Sequence, residues 1–373
     1  MIRKRFKYRL YPTRTQVGLL NGQLSEACRL YNAALQERRD AWRIERKSIT
    51  LPHQKRQLKE IRAAGDLSIE NYSCAAAVLK RVDNTFKAFF ARVKNGRRAG
   101  YPRFKSLRRY KSLSFPEYGH GCRLLDSGKL RLQGVGQVKT KLHRPVDGKI
   151  KSLIIKIEAG RWYVYFNVEC EAQPLPARDN SIGVDVGLSC FATLSDGTEI
   201  DNPRHYQKSQ AKLRKAQRRI SRRKKGSNRR RKAAQLVARI HAHIRSQRAD
   251  FHHKASHSLV NNFGLIVVED LNVRGLASGM LAKSVNDAGW TSFINKLAYK
   301  AENAGRQLRK VDPNGTSQRC TCGADVPKKL KDRWHSCQSC GLSVSRDHAS
   351  ALEILRLGLN LQASTSPIRE CVA

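Results

Sequence analysis

Between Ser181 and Gly197 the chain reads SIGVDVGLSCFATLSDG. A short apolar run, Ile182 to Val186, carries a single acid, Asp185, and Gly187 follows it. A second run with β character, Cys190 to Leu194, ends on Ser195-Asp196-Gly197. Asp-Gly beside strand-like runs marks a tight hairpin turn. An Asp projecting from a central strand, with a glycine just behind it, suits a group that must reach a metal. One Asp cannot hold a catalytic metal, so other parts of the chain must supply partners.

Two further acids stand in comparable settings. Leu265-Ile-Val-Val-Glu-Asp270 reads as a buried strand that ends in acids, with Glu269 the first of them. Asp347 sits just before the final helix, in Ser345-Arg-Asp347-His-Ala-Ser-Ala. The chain holds 73 Lys and Arg against 30 Asp and Glu, a net charge of +43. In such a chain three acids have little reason to approach one another unless a divalent cation, Mg²⁺ or Mn²⁺, lies among them. Strand with Asp, hairpin, helices, strand with Glu, then helix with Asp is the order an RNase H-like nuclease requires. Two metals about 3.5–4 Å apart would activate a water and stabilise the leaving 3′ oxygen.

The charge points to a polyanion, with nucleic acid first among the candidates. No run of about 18 apolar residues exists to span a bilayer, and the basic start lacks the apolar core of a signal peptide. The expectation is an intracellular protein with no membrane partner. From Ile2 to Leu10 the residues alternate: Ile2, Phe6, Tyr8 and Leu10 share one face, and Arg3, Arg5, Lys7 and Arg9 the other. That pattern is a half-buried strand with a wholly basic outer face. From Arg204 to Ala249 there is no acid at all among about eighteen Lys and Arg. Two helical patterns run through it with Gly226-Ser-Asn between them. Arg218, Arg219, Arg222, Arg223, Arg229, Arg230 and Arg231 are its candidates for gripping a phosphate backbone. His241, His243, His252, His253 and His257 lack nearby cysteines and carboxylates, which argues against a metal site there.

Four of the ten cysteines cluster, as Cys320-Thr-Cys322 and Cys337-Gln-Ser-Cys340. Two close pairs in a reduced compartment suit one structural, tetrahedral zinc. Gly323 and Gly341 relieve crowding where the backbone turns back on the metal. The first pair is one residue tighter than C-x-x-C, which leaves His335 as a substitute ligand or supporting group. Elsewhere, Thr13-Arg-Thr-Gln16 has the pattern of a capping box ahead of a stripe from Val17 to Trp42. A second helix over about Ser73–Val93 carries Val78, Leu79, Val82, Phe86, Phe89, Phe90 and Val93 as core. Short strands follow from Leu113 to Cys170, the clearest hairpin pairing Ser152–Glu158 with Trp162–Glu169. A first strand, a helical insertion and more strands suggest a small barrel interrupted by a helical lobe.

These stretches resemble the TnpB family of insertion-sequence proteins, also labelled OrfB-type transposases and related to type V CRISPR effectors. The similarity lies in FKYRLYPT, FKAFFARVKNG, GYPRFKS, GVDVGL, IVVEDLNVRGL, AGRQLRKVDPNGTSQRC and RDHASALEIL, in order along nearly the whole length. It implies an α/β multidomain chain: a wedge-type β-barrel over residues 1–12 and 106–172, with a helical recognition lobe inserted over 13–105. A RuvC nuclease domain over 177–316 and 345–362 would carry a zinc-binding element at 317–344, followed by a tail at 363–373. It further implies a guide RNA from the element's own end and cutting of double-stranded DNA beside a short transposon-adjacent motif. In such enzymes the protein reads the motif and duplex shape, while base pairing reads sequence. A monomeric protein in a cytoplasmic ribonucleoprotein, on the nucleoid when DNA is bound, would follow.

Carried onto this chain, Asp185, Glu269 and Asp347 would be metal ligands, and Cys320, Cys322, Cys337 and Cys340 zinc ligands. The family's last motif has Asp where this chain has Ser345 and Asn where it has Ala349. That departure keeps a second reading in view, an RNA-guided DNA-binding repressor with a weakened nuclease. A transposase acting directly in strand transfer is a third, without a Tyr-His-His nucleophile arrangement to support it.

Overall fold

β1 (Ile2–Tyr11) has the expected alternation, with Phe6, Tyr8 and Leu10 buried beneath a charged opposite face. In the computed structural model, which describes residues 1–329 and 331–365, the chain divides into two units, Met1–Glu171 and Ala172–Ala373. Most of the tail expected at 363–373, and Cys371 with it, lies outside the described residues.

In the first unit, Thr13 caps α1 (Arg14–Glu45) through a reciprocal box. The Gln16 N–H donates to Thr13 Oγ1 at 3.3 Å, and the Thr13 N–H donates to Gln16 Oε1 at 3.1 Å. α2 (Leu51–Ala63), with no counterpart in the sequence reading, buries only Gln54 and Leu58, so it shows no apolar stripe. Gln54 instead joins a buried polar network: Arg38 Nε donates to its Oε1 at 2.9 Å and reaches Asp83 with Nη1 at 3.1 Å. α3 (Tyr72–Lys94) is capped by Asn71 and buries Val78, Leu79, Val82 and Phe86. The core reading of its stripe fails at the far end. Phe90 is 60% exposed and Val93 53%, and Trp42 on α1 is 54% exposed.

Six strands complete this unit: β2 (Ser112–Phe115), β3 (Cys122–Leu124), β4 (Lys129–Leu132), β5 (Gly136–Lys141), β6 (Lys149–Glu158) and β7 (Arg161–Cys170). With β1 they form one antiparallel sheet in the order β2-β6-β7-β1-β5-β4-β3. The strand from before the helices thus pairs between strands from after them. β2 and β3 stand at the two ends of the strand order. The β6–β7 hairpin turns on Ala159 and Gly160, both at positive φ, the geometry that matches strand twist in a two-residue turn. One continuous core joins the inner sheet face to α1 and α3.

The second unit is built on β8 (Ser181–Val186), β9 (Cys190–Leu194) and β10 (Glu199–Asp201), an antiparallel meander whose last turn is Asp196-Gly197. Two basic helices follow, α4 (His205–Ser221) and α5 (Asn228–Asn262), then β11 (Leu265–Glu269). Helices α6 (Val273–Leu276), α7 (Ala282–Ala288) and α8 (Trp290–Ala304) lead to β12 (Gln307–Val311). The ribbon β13 (Trp334–Ser336) and β14 (Ser343–Ser345) precedes α9 (Arg346–Thr365). The sheet order is β10-β9-β8-β11-β12, with β11 parallel to both β8 and β12.

All five residues of β11 are buried, as a parallel strand covered on both faces demands. α5 and α8 pack with Ile182, Val184, Ile266 and Val268 on one face. On the other, Leu265 and Val267 pack with Ile354 of α9. No described helix is long and apolar enough to cross a membrane.

Glycine sets how closely α9 lies on the sheet. A Cβ on Gly183 would stand 2.1 Å from the Ala351 carbonyl oxygen, and one on Gly358 2.4 Å from Val267 Cγ2. Overpacking of this kind costs about 1–3 kcal/mol. Gly183→Ala is therefore expected to lose at least that much in urea unfolding, because backbone cannot step aside as a side chain can. A loss under about 0.5 kcal/mol, the range of ordinary surface substitutions, would contradict the close approach.

Candidate functional site

The approach of α9 to β8 decides where three carboxylates fall. In the parallel register Val267 faces Gly183 and Val268 faces Val184, so Asp185 comes next to Glu269. Gly183, Asp185, Val267 and Glu269 share the face that α9 covers, since side chains alternate along strands. Asp347 lies four residues, or about one helical turn, before Ala351, the residue seated on Gly183. The three acids meet at the carboxyl ends of the two central strands.

Their environment is electrostatically unfavourable for anions alone. Burial first, then the charges of Glu269 and Asp347, push the Asp185 carboxyl up to about 8. Burial raises Glu269 as well, while a hydroxyl proton from Thr316 opposes the rise. Thr316 Oγ1 lies 2.5 Å from Glu269 Oε1 and is itself buried. Sequence reasoning missed Thr316. Its signal was only a hydroxyl after Asn314-Gly315, five residues past the end of the strand that pairs with Glu269.

Ser345 takes over the capping work at the start of α9, its Oγ accepting the His348 N–H at 3.3 Å. His348 Nε2 lies 3.2 Å from the Ser195 carbonyl oxygen and ties the helix start to the β9–β10 turn. Ala349 is buried. A carboxylate in the first turn of α9 is also favoured by the helix dipole. Three oxygen-donor side chains at one strand end fit a hard divalent cation. Their oxygens do not all fall within 4.8 Å of one another, as those of a single tight chelate would.

The four clustered cysteines do draw together that tightly. Cys320 Sγ and Cys340 Sγ stand 3.6 Å apart, and so do those of Cys322 and Cys337. A tetrahedron with zinc–sulfur bonds of about 2.3 Å places sulfurs roughly 3.8 Å apart, so the cluster fits zinc. Gly323 and Gly341 follow the two pairs at φ 91° and 75°, each donating its N–H back to the first cysteine's carbonyl. The backbone N–H of Cys340 pulls Cys337 down to about 6. Cys340, despite the N–H of Leu342, is pushed up to about 12 by the three neighbouring sulfurs. Sulfurs this close oppose one another's ionisation, and a cation among them would offset that opposition. His335 is not one of the group: it is buried, with Nδ1 against Lys328 Nζ.

The two basic surfaces differ from each other. The outer face of β1 is not wholly basic, because β6 and β7 bring acids and aromatics beside it. Arg3 pairs with Glu169 at 3.4 Å and Lys7 with Glu158 at 2.7 Å. Arg5 donates to Asn167 at 2.8 Å, and Arg9 lies over the rings of Tyr11 and Tyr163. Burial raises Glu158, but hydrogen bonds from Lys7, Lys156 and Tyr165 outweigh it and hold the carboxyl down to about 2. The alternation of the sequence could not reveal partners that arrive more than 140 residues later.

The α4–α5 pair, joined over Leu213, Ala216, Ile240 and Ile244, keeps its charges outward. Arg218, Arg219, Arg222, Arg223, Arg229 and Arg231 are exposed. Arg219, Arg223, Arg229 and Lys232 line an open cleft of about 600 Å³. Of the seven candidate arginines, Arg230 turns inward, donating to the carbonyls of Ile220 at 2.8 Å and Arg223 at 2.9 Å, where it closes the end of α4. His252 of the same segment is buried against Phe191 and Phe293, and burial lowers it to about 4. Its Nε2 lies 2.8 Å from the Ala288 carbonyl oxygen.

Comparison with known proteins bears on these features. The family model described as "Probable transposase" (OrfB_IS605) matches residues 165–279, and a Cas12f1-like TNB domain model matches 290–354. A helix-turn-helix domain model matches residues 1–47, which in this chain form β1 and the single unbroken helix α1. A "Putative RNA-guided DNA endonuclease" of Streptomyces pristinaespiralis is 35% identical over 379 residues, spanning 99% of this chain and 92% of that protein. "Putative RNA-guided DNA endonuclease InsQ" of Escherichia coli K12 is 31% identical over 300 residues, spanning 75% and 73%. Among solved structures, the mini-RNA-guided endonuclease CRISPR-Cas_phi3 aligns over 96% of this chain and 92% of its own, with a TM-score of 0.48 and 9% identity.

Two outcomes follow from the electrostatics of the carboxylates. The Asp185 carboxyl sits at about 8 in the fold against about 3.9 in an unfolded chain. Folding therefore favours its protonated form, and the group subtracts stability as pH rises from about 4 towards 8. In EDTA, Asp185→Asn should be more stable than the parent at pH 7.5 by about 1–3 kcal/mol, with the gain vanishing near pH 4. Equal urea midpoints at both pH values would contradict the burial. Thr316→Val removes the donor to buried Glu269 and should cost about 1–3 kcal/mol at unchanged zinc content. Unchanged stability would mean that the hydroxyl is idle.

Proposed function

Because the chain belongs to the TnpB family, we propose that it is an RNA-guided endonuclease that cuts double-stranded DNA at the Asp185, Glu269 and Asp347 centre. The observation that carries this reading is the placement of those three acids. They come from residues 185, 269 and 347 of a chain with net charge +43, yet converge at one sheet end. The strand order, with α9 laid across β8 and β11, supports an RNase H-like, RuvC-type nuclease domain over 177–316 and 345–362.

Each group has a definable task. Asp185 and Glu269 present carboxylate oxygens from rigid strands, and Asp347 presents a third from the first turn of α9. A divalent cation such as Mg²⁺ bound there would activate water and neutralise charge on the leaving 3′ oxygen. Thr316 holds one oxygen of Glu269, which orients the other. The exposed arginines of α4 and α5 supply phosphate contacts, and Cys320, Cys322, Cys337 and Cys340 hold a structural zinc. The guide RNA would come from the element's own end, with cutting beside a short transposon-adjacent motif.

The repressor reading draws no support from Ser345 and Ala349. Ser345 replaces a carboxylate with another good cap, Ala349 is buried, and neither change removes one of the three acids. RNA that co-purifies with the protein should be sequenced and then used to direct cleavage of a target library with randomised flanks in Mg²⁺. The parent should cut matched targets beside one short motif. Asp185→Ala should retain the RNA and lose cutting to background. Parental cutting by that variant would refute the assignment.

A further inference from the structure

The far end of α3 and the segment after it remain without a role in that scheme. From Phe86 to Lys111 the chain has ten Lys and Arg, six aromatics and no acid. The rings are locked edge to face. Phe89 lies 5.2 Å from Phe90 and 5.5 Å from Tyr101, and Phe86 lies 5.8 Å from Tyr101. Yet the outermost rings are open to solvent: Phe90 is 60% exposed, Phe104 46% and Tyr101 45%. The Arg39 guanidinium lies 5.1 Å from the Phe104 ring centre. Tyr101, Pro102, Arg103 and Phe104 close over Leu35 and Arg39 around a recess of about 430 Å³, within the range of pockets that take small organic groups.

We propose that this surface is a stacking platform for unpaired bases of the RNA the protein carries, a proposal that rests on the RNA-guided reading above. Rigid exposed rings interleaved with cations are what sequence-tolerant binding of single strands uses, since every base offers a π-face and every nucleotide a phosphate. A second copy of the chain is a poor occupant, because it would set one strongly cationic, acid-free segment against another. Soluble proteins rarely leave such apolar surface uncovered, which favours the resident RNA over a transient DNA strand.

The test compares the full-length parent with Phe90→Ala, Tyr101→Ala and Phe104→Ala, singly and together, binding an unstructured oligouridine RNA over a range of salt. Each single change should weaken binding about thirtyfold, near the middle of the range for loss of one stacked base. The slope of log affinity against log salt should not change, because no cation is removed. Phe90→Trp, which keeps a ring, should retain binding, and Arg97→Ala with Arg98→Ala should flatten the slope instead. Parental affinity in the triple variant would overturn the proposal. So would weakening confined to the matching oligothymidine DNA, or loss of self-association with RNA binding unchanged. Failure of the parent to carry RNA or cut DNA would sink the function above while leaving this binding measurement intact.

Discussion

A helix backbone laid directly on a strand backbone is the constraint from which the carboxylate centre follows. Gly183 lets Ala351 of α9 come against β8, and Gly358 lets the same helix settle on Val267 of β11. Two glycines, one on the strand and one on the helix, fix the height and line of α9. Asp347 is then placed by helix geometry, and Asp185 and Glu269 by the parallel register. None of the three acids needs a direct bond to another, which suits groups that repel.

Much of this was legible in the sequence because it rests on short-range rules. The alternation of β1, the Thr13 box, the continuous apolar run of β11 and the paired cysteines all announce themselves within a dozen residues. The acids could be picked out by the strand and helix ends on which they sit. What stayed hidden depends on distant chain. Gly183 inside a strand pattern signals a bulge or close approach without naming the neighbour. Thr316 matters only because β12 runs beside β11. α2 lacks an apolar stripe because it is held by Gln54. Phe90 and Trp42 fit helical stripes by spacing and still face solvent, since periodicity defines a face and not how far the core extends beneath it.

Several of the 30 acids in this chain have an identifiable task. Asp287 accepts the N–H groups of Tyr206 and Gln207 at 2.9 and 3.2 Å, capping from outside the helix that opens the acid-free segment. Asp83 holds Arg38, and Glu353 takes Arg356 in a two-pronged pair with both bonds 2.7 Å. Glu158 and Glu169 pair with Lys7 and Arg3 on the outer face of β1. Arg218, Arg219, Arg222 and Arg223 at the end of α4 and Arg229 at the start of α5 then stand exposed in a stretch without acids, the condition for binding a polyanion with strong salt dependence.

The position of α9 in the chain also has a consequence in time. It is the last described helix, yet it supplies the third carboxylate and covers the sheet face on which the other two stand. Domains form largely as synthesis proceeds from the amino end. The first unit and the basic helices emerge well before residue 347 does, so a nascent chain acquires its cationic surfaces before its acidic centre is complete. Order of synthesis thus separates the capacity to hold a polyanion from the capacity to place all three acids together.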